Sequence, residues 1–172
     1  MPPQEIFDLC SYFKRVEIAF SIDDIGQQFE YQRHPANWRE VSVNLVKFKE
    51  MKTENMEFQI CTTVSIFNIF SLAKIAFWVA QYQPKFFYVN TLFDPDYFNI
   101  QTLPKNVKDI VNTRYSMLTD FKPTLNFMNA ADRDTAETRK QRLDRILTTD
   151  AYRHENFGDV FPLLNKVLQI YE

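Results

Sequence analysis

Apolar positions along this chain change period several times, and each change marks an element. Over residues 4–13 they fall at Ile6, Leu9, Cys10 and Phe13, the i, i+3, i+4, i+7 stripe of an amphipathic helix. Lys14 and Arg15 close it, where cations suit the negative end of the helix dipole. Residues 16–22 then read as a strand of β-branched and aromatic residues that breaks into Asp23, Asp24 and Gly26. Asn37, followed three residues on by Glu40, is a capping-box pattern, and Trp38, Val41, Leu45 and Phe48 give the helix behind it an apolar face. A second strand is expected over 57–64. Ser71 caps a helix carrying Leu72, Ile75, Ala76 and Val79, Pro84 ends it, and residues 85–90 form the clearest strand.

Helix then strand, three times over, predicts an α/β fold with parallel pairing and crossover helices. Beyond the loop Phe93-Asp94-Pro95-Asp96-Tyr97 a helix is expected from about Pro104, with Val107, Ile110, Val111 and Leu118 inward and Pro123 marking its end or a bend. Residues 129–150 are densely charged and read as a solvated helix or a mobile segment. The last helix puts Phe157, Val160, Phe161, Leu164, Val167, Leu168 and Tyr171 on one face, with Pro162 in its first turn. The division expected is an α/β part over 1–122 and a helical C-terminal segment over 123–172.

Composition narrows the function classes. A chain of 172 residues with 45% hydrophobic and 24% charged content is ordinary for a globular fold and can bury a core. Its 17 Phe and 8 Tyr must be largely buried, or they leave an adhesive surface. A net charge of −2 with no basic run argues against nucleic acid as a partner. No apolar stretch suits a bilayer span and the first residues lack a secretion pattern, so a cytoplasmic location is expected. Cys10 and Cys61 have no CxxC spacing and read as buried thiols. With only Gly26 and Gly158, neither GxGxxG nor a Walker A loop can be built.

Strand periodicity supplies the candidate chemistry. In the first strand Ala19, Ser21 and Asp23 share one face, and Ile18, Phe20 and Ile22 the other. The second strand divides Gln59, Cys61 and Thr63 from Phe58, Ile60 and Val64, and the third divides Tyr88 and Asn90 from Phe87 and Val89. Bulky residues suit a layer of helices. The polar set therefore gathers at the strand ends on the opposite face, where parallel α/β folds bind ligands. Other groups read as structure: Asp23 and Asp24 as a solvated loop pair, His34 and His154 as exposed, Asp94 and Asp96 as a turn, and Phe86, Phe87 and Tyr88 as core.

The order Ser21, Ile22, Asp23, Asp24, Ile25, Gly26, followed by Arg33, resembles the fourth strand and following loop of radical S-adenosylmethionine (SAM) proteins. Members often read S-[IL]-D-G-x-G before an Arg; the Gly after the Asp is Asp24 here. The phrase Asn90 to Pro95 with Leu103-Pro104, and the tail from Phe157 to Pro162, resemble a twitch-domain subgroup common in phage and environmental sequences. The resemblance implies the later strands of a TIM-like partial (β/α) barrel. It implies SAM as cofactor, with Ser21 and Asp23 near its ribose and amino-acid part and Arg33 on its carboxylate. Thr63 and Ser65 would border it from the next strand, and Asn90, Leu92 and Phe93 would pass its adenine.

The family's CxxxCxxC motif for a [4Fe–4S] cluster cannot be built from two cysteines. The expectation is thus the C-terminal portion of a radical SAM enzyme, supplying the cofactor wall and not catalytic alone. The cluster would come from a missing N-terminal half or another cluster-bearing polypeptide. The complete enzyme would abstract hydrogen from a peptide or small-molecule substrate. The alternatives are a non-catalytic half-barrel binding or interaction module that has lost the radical chemistry, and a structural phage protein with an accidental likeness.

Overall fold

The computed structural model describes residues 4–171. The chain forms two compact units. One joins the residues up to Thr62 with Ala73–Tyr88, and the other joins Thr63–Leu72 with the residues from Val89 on. The architecture is mixed α/β with a three-stranded parallel sheet, as the alternation of helix and strand predicts.

The sheet order is β1-β2-β3, with β1 at Val16–Ser21, β2 at Met56–Val64 and β3 at Phe86–Thr91. β1 and β2 run in register from Val16 opposite Met56 to Ser21 opposite Cys61. Parallel sheets are normally covered on both faces and read as continuous apolar runs. Here burial alternates instead. Met56, Phe58, Ile60, Thr62 and Val64 are buried, whereas Glu17, Ala19 and Ser21 of β1 and Phe86, Tyr88 and Asn90 of β3 are exposed. The sheet therefore has a covered face and an open one, divided along the lines the period of two predicts.

In the first unit the covered face packs under α3 (Trp38–Met51) and α4 (Leu72–Ala80), whose Leu45, Phe48, Ile75 and Val79 meet Phe58 and Ile60. Phe48 is the hub. Its ring lies 5.5 Å from Phe20, 5.9 Å from Phe7 and 6.0 Å from Phe58, in the tilted and edge-on arrangements aromatic rings favour. The Asn37 side chain caps α3 by accepting from the Glu40 N–H at 3.1 Å. The first helix differs from expectation: α1 ends at Cys10 and buries Phe7, leaving Ile6, Leu9 and Phe13 exposed. Seven residues give too few turns for the apolar count to fix a face, and contact with Phe48 selects Phe7. A short helix, α2 (Gln27–Gln32), also follows β1 unannounced by the pattern. Phe86 and Tyr88 are not core; only Phe87 of that trio packs inward.

The second unit is helical. Short 3-10 turns at Asp96–Phe98 and Ile100–Thr102 lead into α5 (Lys105–Tyr115), which buries Val107, Val111 and Tyr115 rather than Ile110. Pro123 opens α6 (Lys122–Asn129) instead of ending α5, a position where its missing N–H is harmless. The charged stretch forms α7 (Ala136–Arg153), started by a reciprocal Thr135–Thr138 capping box. Its buried positions are Thr138, Arg142, Ile146 and Asp150, a four-residue stripe with one apolar member. The last apolar face is divided between α8 (Phe157–Val160) and α9 (Pro162–Leu168), which bury Phe157, Phe161 and Leu164. Among the described residues no helix is long and apolar enough to cross a membrane.

Candidate functional site at the carboxyl end of the first strand

At the end of β1 the backbone is pinned before the loop begins. Ile22 N–H donates to the Cys61 carbonyl at 2.9 Å, and Thr62 Oγ1 donates to the Ile22 carbonyl at 2.6 Å. Gly26 then takes φ 65° and ψ −143°, a conformation essentially restricted to glycine, and its carbonyl receives the first N–H groups of α2.

Two acidic side chains leave this loop in different directions. Asp24 is fully buried; its Oδ1 accepts from the Ile25 N–H at 2.8 Å and lies 3.6 Å from Lys74 Nζ. Lys74 also donates to Gln28 Oε1 at 2.7 Å. Asp23 is mostly covered and accepts from Arg33 Nε at 2.6 Å. That bond uses one edge of the guanidinium. Among the described residues the terminal Nη1 and Nη2 of Arg33 make no hydrogen bond, and the side chain is 38% exposed. Asp23 thus holds a partly exposed arginine through Nε and leaves its two terminal nitrogens unbonded, the pair of donors that can grip a carboxylate or phosphate. The solvated-loop reading of the acidic pair is corrected: both are bound into ion pairs, and Asp24 belongs to the interior.

Ser21 lies on the open sheet face opposite Cys61. At the other end of the same face, Glu17 and Glu57 stand directly across from each other and are neutralised by Arg15 and Lys85. The Lys85 hydrogen bond, ahead of the nearby charges, lowers the Glu57 pKa. Polar side chains at that amino end are therefore committed to one another, whereas Arg33 keeps two terminal donors beyond its bond to Asp23.

In the second unit the predicted residues have mixed placements. Ser65 is buried and its hydroxyl accepts from the Phe67 N–H at 3.3 Å, while Asn68 receives the Ser65 N–H and donates to the Thr63 carbonyl. Ser65 and Thr63 thereby form a self-bonded turn. Leu92 N–H extends the ladder to the Val64 carbonyl at 2.8 Å. Asn90 is exposed, and the exposed Phe93 ring packs edge-on against Phe127 with centroids 5.0 Å apart.

Sequence reasoning missed Asp24, Gln28 and Lys74, whose partners come from three different elements. It also missed Arg142 of α7, which is 2% exposed and donates to the Tyr97 and Thr102 carbonyls and to Thr102 Oγ1. Cys10 and Cys61 form no disulfide, and the described residues contain no group of three His, Cys, Asp or Glu able to hold a metal ion. No family model, no curated protein and no solved structure matches this chain.

Proposed function

We propose that the chain is the later part of a TIM-like (β/α) barrel of the radical SAM type, and that the carboxyl end of β1 binds the amino-acid end of S-adenosylmethionine. The observation that carries this reading is the 38%-exposed Arg33 guanidinium, held through Nε by Asp23 at 2.6 Å, with both terminal nitrogens making no hydrogen bond among the described residues. A carboxylate accepts two parallel N–H bonds from such a fork. Ser21, exposed at the strand end, adds a hydroxyl that can donate or accept to a ribose or amino group. The parallel sheet supports the reading as well, because ligands gather at the carboxyl ends of parallel strands.

The two cysteines do not fit a cluster: Cys10 sits in α1 and Cys61 in β2, and no third thiol exists. When bound to a [4Fe–4S] centre, SAM supplies the radical chemistry of the family; that centre would have to come from another polypeptide or an N-terminal half. This chain's share is to hold the cofactor's charged end. The substrate would be a peptide or small molecule met by the complete assembly. A non-catalytic binding module is the second reading, favoured by the open sheet face with Phe86 and Tyr88 exposed on it.

Calorimetric titration with SAM tests the proposal. Saturable binding is expected, weakened at least about tenfold by Arg33→Met, the scale of a lost charge-assisted hydrogen bond. Absence of saturation at millimolar SAM, or equal affinity of Arg33→Met, would overturn it.

A further inference from the structure

Arg142 is a buried cation with no carboxylate in hydrogen-bond contact; the one carboxylate whose charge acts on it, Asp134, is bonded to Arg139 instead. Its Nε donates to the Tyr97 carbonyl at 3.1 Å, and its Nη2 donates to the Thr102 carbonyl at 2.7 Å and to Thr102 Oγ1 at 2.8 Å. All three acceptors are uncharged. Among the described residues no acidic group lies within ion-pair distance of Arg142, and its Nη1 makes no hydrogen bond. Its neighbours on α7 are paired elsewhere: Arg139 with Asp134 at 2.5 Å and Lys140 with Asp144 at 2.5 Å. A desolvated charge normally meets an opposite charge, because dipoles replace only part of its hydration. Burial accordingly pushes the guanidinium pKa down, to about 10.

Arg142 also lines a cleft of about 460 Å³ in the second unit. Arg139, Lys140 and Asn106 line it as well, and no acidic residue does. Asn106 belongs to the first turn of α5, where exposed N–H groups and the helix dipole add positive potential. Apolar lining comes from Leu143, Val167, Leu168 and Ile170, with Gln169 among them.

We propose that this cleft binds a small anionic ligand, a phosphate or carboxylate head group with an apolar body, whose charge completes the pairing of Arg142. The reading is independent of the one for β1. The head group meets the guanidinium and the α5 amino terminus, and the body lies along Leu143 and the end of α9.

The test is calorimetric titration of the intact chain with inorganic phosphate, butyl phosphate and butyrate at constant ionic strength. Saturable binding by at least one is expected, and comparing butyl phosphate with butyrate identifies the head group. Arg142→Gln should abolish it. Since that variant also loses bonds to buried carbonyls, Asn106→Asp provides a second reading: it is isosteric, exposed and favourable at a helix amino terminus, and places a competing carboxylate at the cleft. It should weaken the best ligand at least about tenfold, the size of one charge-assisted bond, while keeping the thermal midpoint of the parent or exceeding it. No saturable binding by any of the three probes, or unchanged affinity in Asn106→Asp, would overturn the proposal.

Discussion

Asp24 in the first unit and Arg142 in the second are both sealed from solvent, at 0% and 2% exposure, but their charges are met differently. Asp24 has a neighbouring cation, Lys74, whose half-exposed side chain reaches in from α4. Arg142 has three uncharged oxygens. The first arrangement has its counter-charge within the same unit, and the Asp24–Ile25 bond fastens the β1 loop. The second places a charge bonded only to uncharged oxygens next to a cleft. A buried ionic group is therefore not in itself a sign of a site; what distinguishes the two is whether a counter-charge lies within ion-pair distance.

The sharpest break in this comparison is Asp24→Ala. It leaves the Ile25 N–H without its acceptor and empties a buried position, for a cost of about 3 kcal/mol. Asp24→Asn keeps an acceptor and removes only the charge, so it should lose about half as much. Urea unfolding monitored by circular dichroism measures both. Near-parental stability for Asp24→Ala would show that the loop is not fastened there.

Arg142→Met should cost less, about 2 kcal/mol, because three hydrogen bonds are lost while a desolvated charge is also removed. Its effect should further depend on solution conditions. Excess phosphate or carboxylate ligand raises the parent's thermal midpoint by mass action and leaves Arg142→Met unmoved. Equal shifts in both proteins would erase the distinction drawn between the two buried charges.

Lys74→Met comes next, at about 1 kcal/mol after allowing for the solvent that screens a half-exposed ammonium. Salt should narrow the gap between Lys74→Met and parent. A gap indifferent to salt would assign Lys74 a packing role.

The first unit was the more legible from the sequence because its burial follows hydrophobic rules. Period-two alternation placed Ser21 on the open face and Ile18 and Phe20 on the covered one, and Asn37 announced the start of α3. What failed there was local: α1 and α2 are six or seven residues long, too short for a period to define a face. The second unit fails differently. The buried stripe of α7 contains Thr138, Arg142 and Asp150, which a hydrophobic pattern assigns to solvent. Those residues are tolerated inside because each finds hydrogen-bond partners: Thr138 locally in its capping box, Asp150 at the Phe157 N–H, and Arg142 on distant Tyr97 and Thr102. No spacing within the sequence announces the partners of Arg142, 40 and 45 positions away. The same applies to Asp24, whose burial depends on Lys74 fifty positions away.

The smallest effect concerns Asp150, a third buried charge at the far end of α7. Its Oδ2 accepts from the Phe157 N–H and from the Tyr171 hydroxyl, both at 2.7 Å. Burial first, and then the hydrogen bond to Asp150, raise the Tyr171 pKa from 10.0 to about 12. The folded chain thus holds this proton more tightly than the unfolded chain, and the stabilisation is fully present below pH 10 and lost as pH rises through about 12. Tyr171→Phe should cost about 1 kcal/mol at neutral pH, one hydrogen bond to a charged acceptor near the surface. The difference in unfolding free energy between parent and variant should hold steady up to pH 10 and close by about 12. A difference that stays constant across this window would mean that the phenol ring's packing, rather than its hydroxyl, secures the chain end. Asp150 would then depend on the Phe157 N–H far more than on Tyr171, and would resemble Arg142, whose charge is met by backbone groups, more closely than Asp24.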